Sequence, residues 1–478
     1  MIERSAIQPL TVPPAPSAPR SARLPMPSER TLSNGLRVIA FAQRSGPKAM
    51  GVPLIAAQLI VRGGASRETD AEAGLSSLTA SLLTTGTTTH SAFEIAERVD
   101  ALGARLDASS GFDASVVSVS AMTPVFRDAF ALFRDLQRPA FAPAEVERVR
   151  SKTIGDLGLT YSNPSALARL VANRVAYGSL AYGHPLAGTA QTLPTLTRDR
   201  IAAFHAHWYR PDNAVLVIGG DIVPDAAFAL VEAVFGDWQP PAEPLLQHAA
   251  QPAPGAAAKV VIIDKPDAGR TSIVAGRVAI ARNSPDYDAG TVATAVLSGY
   301  SGRLNQEIRV KRGLSYGAGA QLITRRESGL FLAATLVDHT KVGEALGVVR
   351  ETLASLAHAP VDSAELAPRK ETVTGAFHRG IETLDGIAST LGELALYDVP
   401  LADLNEFVAR IAAIGPADVQ RFVQTYVVDP FVVLVGNAKV FGDAVRAVTP
   451  DAAIVPFDRL DLNRADVTAQ ASATQPSA

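Results

Sequence analysis

Apolar residues recur along this chain with two periods, and the changes between them mark out its elements. Leu75, Leu78 and Leu82 stand three and four apart, which predicts a helix over 74–83. A second helix follows at 91–104, where Ser91 and Glu94 have the spacing of an N-cap and its capping box. Apolar or alternating runs at 53–64, 115–122 and 214–220 read as strands. Helical periodicity returns at 126–138, 143–160, 164–178 and 197–208. Asn34-Gly35 lies between two apolar runs and signals a tight hairpin turn.

The stretch QPPAEPLLQHAAQPAPGAAA then breaks the pattern, and a linker is placed at 239–257. Beyond it the order begins again. Strands are expected near 259–264 and 271–280, helices at 285–298 and 302–311, and strands near 316–324 and 329–337. More helices follow, and FVVLVG at 431–436 is the closing strand. HWYRPDNAVLVIGGD can be laid on QTYVVDPFVVLVGNA at a constant offset of 217, so that Tyr209 meets Tyr426, Asp212 meets Asp429 and Gly219 meets Gly436. A central linker between halves of equal size, with this match, predicts two α/β domains of one fold. They are placed at 29–238 and 258–447. Residues 1–28, rich in Pro, Ala and Ser, are expected to form a disordered arm, and 448–478 a tail.

Composition narrows the chemistry. The chain has 478 residues, 47% hydrophobic and 19% charged, enough to bury large cores. A formal net charge of −3 gives no electrostatic reason to expect nucleic acid. The absence of cysteine excludes disulfides, thiolate nucleophiles and cysteine metal sites, and it fits a reducing compartment. No uncharged apolar run reaches the ~18 residues of a membrane-spanning helix. The first residues lack the apolar core of a secretory signal, so a cytoplasmic location is expected, or a periplasmic one if a signal was removed. Neither a G-x-S-x-G elbow nor a Walker phosphate loop is present.

GGASRETDAEAGLSSL, YGHPLAGTAQTLPTLT, HWYRPDNAVLVIGGD, FGDW and GYSGRLNQEIRVKRGLSYGAGA occur in this order. In sequence and spacing they resemble the insulinase/pitrilysin metallopeptidases, nearest the mitochondrial-processing-peptidase branch. The resemblance covers roughly residues 29–447. It implies an α+β fold of two homologous domains, each a mainly antiparallel sheet flanked by helices, facing each other across a chamber.

Active members of that family carry an H-x-x-E-H helix, in which two His hold zinc and the Glu is general base. Here the corresponding positions hold Ser77, Ala80 and Ser81. The family's third ligand falls near Asp156. None of the eight histidines (His90, His184, His205, His207, His248, His339, His358 and His378) forms an i, i+4 pair. His205 and His207 are two apart and face different sides of a helix, so they read as helix residues beside Trp208. His90 reads as part of a loop and cap, and His184-Pro185 as a structural turn. No metal is therefore expected on this chain.

A different feature is kept. SGRLNQEIRVKRGLSY reads as a helix opened after Ser301 and stopped by Gly313, with Arg309 on its last turn and Tyr316 at the start of the next strand. Spacing alone leaves Arg309, Lys311 and Arg312 readable as solvated cations at a helix C-terminus. The resemblance implies that Arg309 and Tyr316 are a substrate-binding pair. It thus implies a non-zinc-binding subunit of a heterodimeric metalloendopeptidase, inactive alone, with zinc on a homologous partner and peptides as substrates. The strand at 329–337 is a candidate edge for peptide addition, although its unbroken apolar run favours a buried strand. The alternative is a non-catalytic scaffold or peptide-binding subunit of a larger complex. The sequence leaves self-pairing in the partner's absence open.

Overall fold

The structure, a computed structural model, describes residues 24–43, 53–245 and 260–467. Two six-stranded sheets carry the fold. The first is built from β1 (Ser28–Thr31), β2 (Arg37–Ala42), β3 (Leu54–Val61), β4 (Arg105–Ser110), β5 (Ser115–Met122) and β6 (Ala214–Gly220). Their order is β1-β2-β6-β3-β5-β4, and only β2 and β6 run parallel. The second contains β7 (Val260–Asp264), β8 (Thr271–Ala279), β9 (Ser315–Ile323), β10 (Gly329–Val337), β11 (Phe431–Gly436) and β12 (Ala453–Pro456). Its order is β12-β7-β11-β8-β10-β9, with β7 parallel to both β11 and β12.

From β2 to β6 and from β7 to β11 the two orders match strand for strand, and the offset of 217 carries Ala214 of β6 onto Phe431 of β11. The repeat seen in the sequence is thus a repeat of topology, and the α+β class holds. Asn34-Gly35 lies in the turn between β1 and β2, where Gly35 has φ +90°.

Every residue of β6 and β11 is buried, because both faces of these central strands are covered. In β6, Leu216 and Ile218 point into the core of their own half. Val215 and Val217 point the other way, onto Ile387, Ala388, Leu391 and Leu394 of the Leu384–Leu396 helix, which belongs to the second half. The reverse holds in the second sheet. Val433 of β11 and Val274 of β8 pack on Leu167, Ala168, Val171 and Ala172 of the Pro164–Tyr177 helix, which belongs to the first half. Each half therefore lends one helix to the other. Small Ala168 and Ala172 let the lent helix approach its sheet, and Asn163 caps it by accepting from the Ser165 and Ala166 amides. Truncating a buried leucine in such a layer costs about 2–5 kcal/mol.

The hairpin tips also meet between the halves. Asp113, in the β4–β5 turn, accepts from the Tyr182 hydroxyl, the Arg326 amide and the Tyr397 hydroxyl. The Arg325 guanidinium stacks 3.9 Å from the Phe112 ring centroid.

Three boundaries differ from expectation. Residues 1–23 and most of the linker, 246–257, lie outside the described residues, but Leu24 is already fixed by a pair of hydrogen bonds to the Asn405 side chain. The segment read as a tail from 448 contributes β12, and Leu462 and Val467 are buried, so the second half extends to Val467. The helix expected over 302–311 is a single turn, Arg303–Asn305, running into a π-turn at Gln306–Val310. The Lys311 amide reaches back to the Gln306 carbonyl, which puts one extra residue into the turn.

Candidate functional site

The Leu75–Leu82 helix stands where the metal helix is expected. Its start is tied down by Glu68, a fully buried carboxylate. Glu68 accepts from the amides of Gly74 at 3.0 Å and Ser76 at 2.5 Å, and lies 3.1 Å from His184 Nε2. These bonds serve amides that a helix leaves without partners. Gly74 has φ +98°, and a side chain there would strike Gly188. His184 is thus structural, as its turn suggested.

The frame of the helix is intact, but its chemistry is not that of a metal site. Ser77 and Ser81 share one face, and the Ser81 hydroxyl donates to the Ser77 carbonyl at 2.9 Å. Ala80 is buried. Asp156, on the neighbouring Pro143–Ser162 helix, is held by Lys152 at 2.6 Å. Neutral hydroxyls, a methyl group and an acid already paired with a lysine do not fit zinc, which takes imidazole, thiolate or free carboxylate. Among the described residues no group of three or more His, Asp or Glu is arranged to hold a metal.

His205, His207 and His90 keep to their expected places, and His248 lies outside the described residues. His205 is stacked on Tyr209 with centroids 4.5 Å apart, and His207 meets the edge of Trp208. Burial pushes the His205 ring down to about 4. His90 Nδ1 lies 2.8 Å from Asp135, just before the Ser91–Glu94 capping box.

In the second half, the turn carrying Arg309 has three neighbouring cations with different fates. Lys311 and Arg312 both bind Glu307, each at 2.5 Å, and these hydrogen bonds hold its carboxyl below the usual carboxylate range. The Arg309 guanidinium makes no hydrogen bond or ion pair with a described residue. It lies instead 5.8 Å from the centroid of the Tyr300 ring. Gly313, with φ +63°, ends the turn and donates its amide to the Arg309 carbonyl.

Tyr316 sits in a β-bulge. Thr335 pairs with Ala318 and Val337 with Ser315, so Tyr316 and Gly317 together face the single residue Leu336. The Ser315 hydroxyl binds the Gly317 amide and the Leu336 carbonyl, and Thr335 donates to the Gly317 carbonyl. A pinned bulge re-aims a side chain, and Tyr316 is 76% exposed. Its ring lies under Arg270, 4.8 Å from the guanidinium carbon. Arg309 and Tyr316 thus flank the same turn and strand start, yet no hydrogen bond or ring contact joins their side chains. Each leans on a different neighbour. Tyr300 and Arg270 carried no signal in the sequence beyond an aromatic among glycines and a cation before a strand.

The expected edge strand needs correction. β10 lies between β8 and β9, which accounts for its buried apolar run, and the edge is β9. That edge is already occupied at its middle. The Ser298 hydroxyl donates to the Ala320 carbonyl at 2.6 Å and accepts the Ala320 amide at 2.7 Å. Gly302 lets the loop fold this tightly, since a Cβ there would come 2.1 Å from the Ser298 carbonyl.

Comparison with known proteins agrees with this architecture. Residues 51–190 match the sequence profile of insulinase (peptidase family M16), and residues 195–373 match that of the peptidase M16 inactive domain. The chain belongs to this insulinase-type peptidase family. Within it, the chain is a member whose Leu75–Leu82 helix carries Ser77, Ala80 and Ser81. An uncharacterised zinc protease of Streptomyces coelicolor is 25% identical over 363 residues, 75% of this chain and 79% of that protein. One of Mycobacterium leprae is 26% identical over 379 residues, 77% and 81% of the two chains. The fold is shared with a crystal structure of a peptidase M16 inactive domain from Pseudomonas fluorescens, at TM-score 0.78 and 24% identity, covering 86% of this chain and 98% of that one. It is shared too with a protease from Helicobacter pylori, at TM-score 0.75 and 19% identity, covering 87% and 100%.

Proposed function

We propose that this chain is the substrate-holding subunit of a heterodimeric zinc endopeptidase acting on peptides. One contrast supports the reading. The Leu75–Leu82 helix is well built but its motif positions carry no metal ligands, whereas Arg309 has no acid partner among the described residues and Tyr316 is turned outward by a pinned bulge. A guanidinium and a phenol are both hydrogen-bond donors. Aimed at one peptide carbonyl, they hold the substrate and stabilise the oxyanion that develops as water attacks.

The partner is a homologous subunit with an intact H-x-x-E-H helix, and it supplies the zinc, its water and the general base. On this reading the chamber lies between the two chains and not, as the resemblance implied, between the two halves of this one, whose sheets are covered by the Pro164–Tyr177 and Leu384–Leu396 helices. No helix among the described residues is long and apolar enough to cross a membrane, and a chain without cysteine suits the cytoplasm.

The test mixes the purified chain with an H-x-x-E-H relative from the same organism and follows a quenched fluorescent peptide. The mixture should cleave it and neither chain alone should match that rate. Arg309→Ala and Tyr316→Phe should each lower kcat about a hundredfold, with assembly unchanged by size-exclusion chromatography. A double variant with full joint activity, or cleavage by this chain alone with stoichiometric metal, overturns the reading.

A further inference from the structure

The two donors are not held by each other, and something else must aim them. Both side chains stand at the surface, where a long arginine and a tyrosine ring sample many rotamers unless a neighbour restricts them. The structure supplies one neighbour for each. Tyr316 has Arg270 over its ring, and Arg309 has the ring of Tyr300 beneath it. Arg309 has no acid partner among the described residues, and Arg270 feels the charge of Asp338 without making a hydrogen bond or ion pair to it, so each can favour an aromatic face.

The neighbours are themselves fixed. Tyr300 is 74% exposed. Its backbone is clamped, with the side-chain amide of Asn305 donating to the Tyr300 carbonyl at 2.8 Å and that of Gln306 at 3.0 Å. Arg369 holds the next residue through the Ser301 hydroxyl at 2.7 Å. Arg270 directly precedes β8, whose Thr271 is paired with Val337 beside the bulge. An exposed ring on a rigid stem and a cation at a strand start are supports of defined position.

We propose that Arg270 and Tyr300 are positioning residues of the peptide-holding site: Arg270 orients the Tyr316 phenol and Tyr300 orients the Arg309 guanidinium. The inference rests on the reading of Arg309 and Tyr316 given above and adds the two residues that make their placement reproducible. Neither touches the substrate. Each acts through one donor, and that dependence is what can be measured.

The experiment is a pair of double-mutant cycles in the joint peptidase assay. Arg270→Met should lower kcat/KM about two- to fivefold, the size of an exposed cation–π contact, and Arg270→Lys should recover part of the loss. Tyr300→Leu should do the same, and Tyr300→Phe, which keeps the ring, should not. Once Tyr316→Phe has removed the hydroxyl, Arg270→Met should cost nothing further. Once Arg309→Ala has removed the guanidinium, Tyr300→Leu should likewise be silent. A general loss of structure would multiply through instead. Equal factors in the presence and absence of the donor overturn the inference. If Tyr316→Phe and Arg309→Ala are themselves without effect, or the wild-type mixture is inactive, it is the substrate-holding reading that fails.

Discussion

The hydroxyl of Tyr397 donates to Oδ2 of Asp113 at 3.1 Å, across 284 residues of chain. Asp113 is 7% exposed and takes a second phenol, Tyr182, on its other oxygen at 2.6 Å. Burial pushes both phenols up, with the Asp113 charge adding to the effect, so both remain donors throughout the physiological range. Asp113→Ala strands two phenols and the Arg326 amide at the junction of the halves. It should lower stability by about 3–5 kcal/mol, and calorimetry should then resolve two transitions where the wild type shows one. A loss under about 1 kcal/mol would contradict this role.

Removal of the Ser298 hydroxyl should open the edge of β9. In Ser298→Ala the Ala320 amide and carbonyl lose their partner and face outward, the condition in which strand edges recruit other chains. The Ala320 amide should exchange hydrogen faster, and light scattering should show more self-association. An unchanged exchange rate would mean that the edge is closed by something else.

Acid should weaken the first half through His205. Its ring titrates near 6.5 when unfolded and at about 4 in the folded chain, because burial disfavours the cation. Below pH 6.5 the unfolded chain gains a proton that the folded chain refuses. Stability therefore falls between pH 6.5 and about 4, by up to about 3 kcal/mol. His205→Phe keeps a ring against Tyr209 and should flatten the melting temperature against pH over that window. An unaltered slope would assign the acid sensitivity elsewhere.

The Leu75–Leu82 helix offers a gain-of-function test. Ser77 is half-buried and Ser81 exposed, so Ser77→His with Ser81→His should fold and acquire zinc binding by calorimetric titration. Adding Ala80→Glu should lower stability by about 1–3 kcal/mol, because Ala80 is 1% exposed and its place cannot hydrate a carboxylate. Stoichiometric zinc on the unaltered chain would refute the account of this helix.

Legibility in the sequence followed burial. AVLVIGG and FVVLVG stood out because both faces of β6 and β11 are covered, which leaves no polar alternation. β4, RLDASS, was missed because an edge strand with an alternately exposed face carries little apolar signal. The Pro224–Phe235 helix was missed although Pro224 opens it and Phe228, Val231 and Phe235 keep its period. Strand neighbours were not readable, so 329–337 stood as a candidate edge although its unbroken apolar run favoured the buried strand that β10 is. Arg309 and Tyr316 were recognisable from a local motif, but Arg270, Tyr300 and Ser298 gain their meaning from tertiary contacts that no spacing encodes.

The exchange of helices has a consequence for synthesis on the ribosome. When Gly220 has been made, Ile39, Phe41, Val215 and Val217 form a greasy wall with no lid, and the lid begins only at Leu384. At about 5–20 residues per second that wall stands bare for roughly 8–30 s. Nascent chains arrested near residue 300 should bind a hydrophobic dye or a holdase chaperone, and chains released at full length should not. Equal dye binding at both lengths would show that the newborn first half finds another cover.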